Sequence, residues 1–476
     1  MWIEEELHKD SVGIQRVIQT LTRDYQKQLP LSIRSHLPEN KDNTTEFLDH
    51  FYDKLRNAEF IMYENAAADA DAAAADEPRR PAFQLTEIKN STNDLPHPRI
   101  LSELQRAYDI RRRHHGASDA DAEDEQYIPY KVYAYIREKS EYCIQFQSTI
   151  HGRAISLYFI TFPESQITAC NKRRGGVCAS EIAVYQQYAY KVFIWLSLVT
   201  SLADKECSEK SLNVYFYMTP FKKERPTDDA ILSAIHVNTG LTRNCQTHGE
   251  IVVYRAEEWF KVFVHESMHN FNMDFIDLDL RGANEQLRRT FCIPHGDILL
   301  FETYTETWAR IINTMFDTYF HQDQSPADRS HFIRTVREKL TTNSVFYAHQ
   351  AVKVLEIMGL KYANITIQSA ENMEVCRKRY AEDTNVYAYY ILGGILSVYA
   401  LPFISWCCAH NRGRGGGGGG RIGAVRFSQE TNNLPRFVDF IANAARDPTI
   451  LSLISFIESS THTTPVMKKT MRMTME

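Results

Sequence analysis

The sequence predicts an α+β fold, with an antiparallel sheet in its N-terminal half and a mainly helical C-terminal half. Three observations support this prediction. Short runs of β-branched and aromatic residues, separated by turn residues, lie between positions 128 and 162 and are typical of neighbouring strands. A similar run at 251–254 precedes a segment in which apolar residues recur every four positions. From about residue 275 onward, the apolar periodicity is helical.

Length and composition limit the class of protein. At 476 residues, the chain is long enough for two or three domains with a large core. Its hydrophobic fraction of 43% indicates a globular rather than a disordered protein. The net charge of −6 indicates no broad basic face, so we expect no nucleic-acid partner.

Cysteine usage and the acidic N-terminus predict a reducing, cytoplasmic location. The nine cysteines are an odd number, and the first six residues do not resemble a signal peptide. Cys170 and Cys178 flank a basic, glycine-containing loop and are expected to be free thiols.

Residues 1–127 are predicted to form a helical N-terminal region with low-complexity insertions at 65–80 and 114–126. The basic cluster at 111–115 is balanced by neighbouring acids and is expected to be a solvated loop. Two amphipathic helices are expected from apolar residues at helical spacing. Their faces are Ile14, Val17, Ile18 and Leu21 in the first helix, and Phe47, Phe51, Leu55 and Phe60 in the second.

Residues 128–274 are predicted to form a mixed α/β subdomain. Its first part is an antiparallel meander of three strands at 130–137, 141–150 and 153–162. An apolar helix over 179–204 and a strand over 212–218 follow, and 251–254 is expected to be the edge strand.

Residues 275–458 are predicted to form a helical subdomain, followed by a disordered tail over 459–476. The uncharged segment 386–409 is long enough to span a bilayer, but its tyrosines, glycines and proline favour a buried core helix broken near Pro402. The glycine-rich segment 412–421 is expected to be a flexible loop, and 434–458 to form one or two closing helices.

The segment 262–271 contains an H-E-x-x-H motif on the predicted helix. His265 and His269 are one turn apart, so both imidazoles can reach one Zn²⁺ ion. Glu266 lies beside them and is placed to take a proton from a zinc-activated water. Phe260, Val264 and Met268 give this helix a core face.

A catalytic zinc takes three protein ligands, so a third must come from a second element. The segment 301–312 is predicted to form a helix on which Glu302 and Glu306 are one turn apart. One carboxylate can bind zinc, and the other can accept the N–H of a ligand histidine and fix its tautomer.

This pair of helices resembles the gluzincin branch of the zinc metallopeptidases. The stretch 302–310 is similar to the E-x-x-A-E-x-F-R stretch of anthrax lethal factor, and to the E-x-x-S-D and E-x-x-x-D stretches of thermolysin and neprilysin. The resemblance implies a zincin-like architecture in which Glu302 ligates zinc and Glu306 orients a ligand, with Glu306 as the reserve ligand.

Residues 210–360 also resemble an uncharacterised metallopeptidase family of large eukaryotic DNA viruses. The similarity lies in the segments 213–223, 236–242 and 254–266. It implies no known substrate. If the chain is viral, its expected location is the host cytoplasm or the virion.

The leading hypothesis is a zinc-dependent peptidase, with an endopeptidase expected rather than an exopeptidase. Glu266 would act as general base towards water and then deliver the proton to the leaving amine. The lethal-factor template has a tyrosine shortly before the ligand glutamate, where this chain has His295. Tyr304, Tyr347 and His349 are the other candidate transition-state stabilisers. The alternative is a zinc-stabilised structural or virion protein without activity.

Overall fold

The structure is a computed structural model. It describes residues 2–28, 43–64, 83–89, 95–104, 106, 127–163, 179–227, 231–293, 296–321, 328–411, 420–460 and 464–475. The chain has a mixed α+β fold with one sheet in its N-terminal half and helices in its C-terminal half, as the sequence predicts. The predicted insertions at 65–80 and 114–126, the basic cluster at 111–115, Cys170, Cys178 and positions 412–419 lie outside the described residues.

The strands and helices have the following bounds. The strands are β1 (Gln84–Lys89), β2 (Tyr142–Ile150), β3 (Arg153–Thr161), β4 (Ser211–Tyr217), β5 (Gly240–Thr242) and β6 (His248–Val253). The helices are α1 (Trp2–Gln28), α2 (Asn43–Glu64), α3 (Tyr130–Lys139), α4 (Ala179–Thr200), α5 (Ala234–Val237), α6 (Trp259–Asn270), α7 (Arg281–Thr290), α8 (Leu300–Phe320), α9 (Arg329–Ile357), α10 (Tyr362–Thr366), α11 (Ala370–Arg379), α12 (Gly393–Val398), α13 (Ala400–His410), α14 (Asn433–Ala445), α15 (Pro448–Ser459) and α16 (Pro465–Lys469). A π-helical segment (Tyr387–Leu392) precedes α12, and a 3₁₀ segment (Gly420–Val425) precedes α14.

The sheet is mixed rather than antiparallel. Its six strands have the order β1-β2-β3-β4-β6-β5. The predicted hairpin of β2 and β3 is present, but β3, β4 and β6 run parallel to one another. The helix α4 connects β3 to β4, and a crossover connection of this length allows the two strands to run parallel.

Two strand predictions are wrong. The segment 251–254 is not an edge strand, because β6 pairs with β4 on one side and with β5 on the other. The segment 130–137 lies in α3, whose buried residues Val132 and Ile136 are four positions apart. Its aromatic and β-branched composition suits a strand, but the apolar spacing fits a helix equally well.

The described residues divide into two compact units. The first comprises Met1–His8, Phe51–Lys222 and Asn238–Met273, and contains the whole sheet together with α4 and α6. Its core includes an aromatic stack in which Phe216 packs on Phe159 with 4.8 Å between ring centroids. Trp259 and Phe263 of α6 both contact the ring of Phe216 edge-to-face.

The second unit comprises Lys9–His50, Lys223–Val237 and Asp274–Glu476. The buried helix α8 is at its centre and packs against α9 and α12. In the α1 region, Ile14, Ile18 and Leu21 are buried as predicted. In α2, Phe47, Phe51 and Leu55 are buried, as predicted. Phe60, which lies in the part of α2 that belongs to the first unit, is 49% exposed.

The segment 386–409 forms a broken, largely buried helix within the second unit. The chain bends at Tyr399, between α12 and α13, and Pro402 lies in the first turn of α13, where proline is tolerated. No single helix among the described residues has the length and apolar character to cross a bilayer. The pair Tyr387–Val398 and Ala400–His410 meets these criteria only together, across a 90° bend.

The predicted disordered tail is wrong for residues 464–475. This segment contains α16, and Met471, Met473 and Met475 are buried. Its backbone pairs with the 223–225 segment, because Met471 N–H donates to the Lys223 carbonyl and Arg225 N–H to that of Lys469. The methionines provide the apolar area that a polar tail would lack.

Candidate metal centre

The helix α6 is the element that presents the H-E-x-x-H motif. Every residue from Phe260 to Asn270 is buried, including the predicted core positions Val264 and Met268. Trp195 of α4 anchors the helix from behind, because its Nε1 donates a 2.7 Å hydrogen bond to Ser267 Oγ. The motif is therefore held on a rigid helix rather than on an exposed loop.

His265 and His269 face each other across one helical turn. Their Nε2 atoms are 3.1 Å apart and their ring centroids 4.8 Å apart. Two Zn–N bonds of about 2.0–2.1 Å span such a separation at roughly the angle of a tetrahedral site. Without an ion, one Nε2–H would donate to the other Nε2, so the pair suits either a shared proton or a shared cation. The two imidazoles thus fit a zinc ion.

Glu266 lies against the strand β5. A Cβ atom added to Gly240 would be 2.8 Å from Glu266 Cγ, 2.9 Å from its Oε1 and 2.7 Å from Val262 Cγ1. These distances are shorter than ordinary van der Waals contacts. Glycine therefore lets the backbone of β5 approach the carboxylate more closely than any other residue would.

The helix α8 carries the two predicted acids, and they have different surroundings. Glu306 is almost fully buried and accepts a 2.9 Å hydrogen bond from Arg310 Nε. Arg310 also donates to Ser397 Oγ and to the Tyr389 carbonyl, each at 2.9 Å. The guanidinium thus neutralises Glu306 in the interior.

Glu302 lies one turn earlier on α8 and is intermediate in exposure. Glu302 belongs to the second unit, whereas His265 and His269 belong to the first, so Glu302 as the third ligand stays a prediction. Carboxylate and imidazole are the ligand types of a His₂Glu zinc site. These are the three ligands that the resemblance to gluzincins implies.

The candidate transition-state stabilisers are in different environments. Tyr304 is fully buried among Phe275, Phe403, Phe427 and Phe437, and its hydroxyl donates to the Val425 carbonyl at 2.9 Å. This packing shows that Tyr304 is part of the hydrophobic core.

Tyr347 and His349 both lie on α9 and are buried. Arg310 lies over the Tyr347 ring, 4.8 Å from its centroid. Burial and the nearby charge of Lys353 lower the pKa of His349 to about 3, so His349 is neutral at physiological pH. His295 lies outside the described residues.

Sequence reasoning did not identify Gly240 and Arg310. The role of Gly240 follows from the position of β5 in the sheet, which is a non-local property. Arg310 is four positions after Glu306, and this spacing is a recognised signal for a helical ion pair.

No protein family, curated protein or solved structure that was compared with this chain matches it. Any function of this chain must therefore be inferred from the site itself.

Proposed function

We propose that this chain is a zinc-dependent peptidase of gluzincin type with a zincin-like fold. The observation that carries the proposal is the pair of buried imidazoles whose Nε2 atoms are 3.1 Å apart, with Glu266 on the same helix beside a sheet edge.

Three residues would hold the metal. His265 and His269 supply two imidazole nitrogens, and Glu302 supplies a carboxylate oxygen. The pairing of Glu306 with Arg310 supports Glu302, rather than Glu306, as the third ligand. A bound zinc supplies Lewis acidity, which lowers the pKa of water to about 7.

Glu266 would be the general base. Its carboxylate takes a proton from water as the water attacks the peptide carbonyl, and then delivers this proton to the leaving amine. The close approach of Gly240 restrains the Glu266 side chain, which limits the conformations that the base can adopt.

The strand β5 would align the substrate. Among the described strands it pairs only with β6, so its other edge offers backbone donors and acceptors for an extended peptide. An extended substrate held on both sides of the scissile bond is expected of an endopeptidase.

The substitution Glu266→Gln tests the proposed base. We expect the variant to retain zinc, because the three ligands are unchanged, while peptide hydrolysis falls about 10²–10⁴-fold. Zinc would be measured by elemental analysis and hydrolysis with a quenched-fluorescence peptide library. Hydrolysis equal to that of the wild type would exclude Glu266 as the base.

The second candidate function is a zinc-stabilised structural protein without activity. Structural zinc sites are normally closed by four protein ligands, whereas the proposed site has three. If the zinc site were only structural, Glu266→Gln would either change the melting temperature or have no measurable effect. A loss of turnover at an unchanged melting temperature would favour the peptidase.

A further inference from the structure

The C-terminal end of α6 is fixed by a disulfide bond that lies outside the metal site. Cys207, shortly before β4, is bonded to Cys245 in the turn between β5 and β6. The cysteine spacing in the sequence does not predict this pairing. The five other cysteines in the described residues form no disulfide bond.

Asn270 connects this disulfide to the helix. It is the last residue of α6 and directly follows His269. Its backbone carbonyl accepts a 3.1 Å hydrogen bond from Cys245 N–H. Its side-chain Oδ1 accepts a 2.7 Å bond from Ser208 Oγ, next to Cys207. Both half-cystine segments therefore hold the same helix end.

The two sides of the disulfide differ in rigidity. The Cys207 carbonyl accepts a 3.1 Å bond from Arg153 Nε, and the Asp204 carbonyl a 3.0 Å bond from Arg153 Nη2. Arg153 is buried, so this side is fixed to β3. Cys245 lies in a turn, has a φ of 44° and is partly exposed. The 243–247 turn is joined to the Cys207 side by the disulfide and by two backbone hydrogen bonds, from Ser208 N–H to the Gln246 carbonyl and from Lys210 N–H to the Thr247 carbonyl. It is the side that gains freedom when the covalent bond is broken.

We propose that the Cys207–Cys245 disulfide is a redox-sensitive clamp on the metal-binding helix, and that a dithiol reductant weakens metal binding by opening it. The inference rests on the proposed zinc site. In the opened state the Cys245 segment holds the Asn270 carbonyl less firmly, so the last turn of α6 frays more often and the position of His269 relative to His265 becomes less fixed.

The chemistry of opening is a two-electron thiol–disulfide exchange. A thiolate of the reductant bonds to the more exposed Cys245 Sγ, and the S–S electron pair passes to Cys207 Sγ, which takes a proton. The second thiol of the reductant then displaces Cys245 as a thiol. The reductant leaves as its own disulfide, and both cysteines are reduced.

The test compares the full-length wild type before and after reduction with a phosphine, which is itself a weak zinc ligand. Thiol alkylation and mass analysis verify the state of Cys207 and Cys245. We expect reduction to raise the Zn²⁺ dissociation constant at least tenfold in a competition titration with a chromophoric chelator. We also expect amide hydrogen exchange to become at least tenfold faster at 243–248 and at the end of α6.

The Cys207→Ser/Cys245→Ser variant is the matched control. It should bind Zn²⁺ as weakly as the reduced wild type, and the phosphine should not change its affinity further. A further change would assign the effect to other cysteines, such as Cys292, and overturn the proposal. The variant Ser208→Ala keeps the disulfide but removes one bond to Asn270, and should weaken zinc binding without any reductant.

Equal zinc affinity and equal exchange rates in the two redox states would overturn the clamp. If the oxidised wild type bound no zinc, the proposed function would fail together with the claim of redox-dependent metal binding. Unchanged exchange in that case would also show that the disulfide does not hold the end of α6.

Discussion

The Glu266 carboxylate lies against the backbone of Gly240, and this contact limits which residue can occupy position 240. Any side chain there would meet Val262 and Glu266 at distances below 3 Å. Because α6 is fully buried, the helix cannot move away without disturbing its other contacts. The strain would therefore fall on the Glu266 side chain.

Gly240→Ala is expected to lower the turnover number at least tenfold, because a displaced Glu266 no longer reaches the water that it should deprotonate. Zinc content should stay at the wild-type level, since neither histidine is touched. Turnover and zinc per chain would be measured on the same preparation. Gly282→Ala is the matched control, because a Cβ at Gly282 meets nothing within 4 Å. Wild-type turnover in Gly240→Ala would contradict the assignment.

The ion pair of Glu306 and Arg310 is a second contact between individual residues that is expected to affect stability. Both side chains are almost fully buried, so neither charge can be left alone without a large desolvation cost.

Arg310→Met is expected to lower the free energy of unfolding by about 3–5 kcal/mol, because it leaves Glu306 buried without its counter-charge. Adding Glu306→Gln in the same chain should recover part of this loss. Urea unfolding of the single and double variants measures both effects. The exposed pair of Arg281 and Asp279 supplies the control, and Arg281→Met should leave the unfolding curve unchanged. If Arg310→Met also left the unfolding curve unchanged, the ion pair of Glu306 and Arg310 would not contribute to the stability of the fold.

At the scale of elements, the helix α9 and the 470–472 segment form a buried polar contact. Lys353 Nζ donates to the Thr470 carbonyl at 2.6 Å and to Gln350 Oε1 at 2.5 Å. Burial, reinforced by the charge of Arg225, lowers the pKa of Lys353 to about 7. Burial thus disfavours the charged form of the amine, and the two oxygen acceptors offset part of that penalty.

The lowered pKa of Lys353 predicts a specific pH dependence of stability. Between pH 7 and about 10.5 the unfolded chain keeps the Lys353 proton while the folded chain has released it. The free energy of unfolding therefore rises with pH in this window, by at most about 1.4 kcal/mol per pH unit. Below pH 7 the amine is charged in both states and the slope vanishes.

Urea unfolding at pH 7.5 and 9.5 tests this dependence. The wild type should gain about 2 kcal/mol more than Lys353→Met between these two values. Lys378→Met removes an exposed lysine and should keep the wild-type slope. If Lys353→Met kept that slope as well, Lys353 would not be the group that titrates.

At the scale of the whole molecule, the sequence predicts what depends on local periodicity. The helices near residues 14–21 and 179–200, the β2–β3 hairpin and the closing helices α14 and α15 all have clear local patterns. The histidines of the motif are likewise one turn apart on a helix, because their spacing alone determines this.

Features that depend on non-local pairing could not be predicted in this way. The edge position of β5 follows from the sheet order, and a three-residue strand has almost no periodicity of its own. Cys207 and Cys245 meet because they precede the paired strands β4 and β6, which are neighbours only in the folded sheet. The buried 464–475 segment looks like a polar tail until its partner residues, 223–225, are known.

The central claim is that the whole chain binds one zinc ion through His265, His269 and Glu302. Elemental analysis of the purified wild type and of Glu302→Ala, prepared side by side, tests it most directly. The account predicts about one zinc per chain in the wild type and a loss of most of it in Glu302→Ala, since a three-ligand site depends on each ligand. If Glu302→Ala retained its zinc, the third ligand would have to be a residue other than Glu302. A wild type without zinc after incubation with the ion would contradict the account.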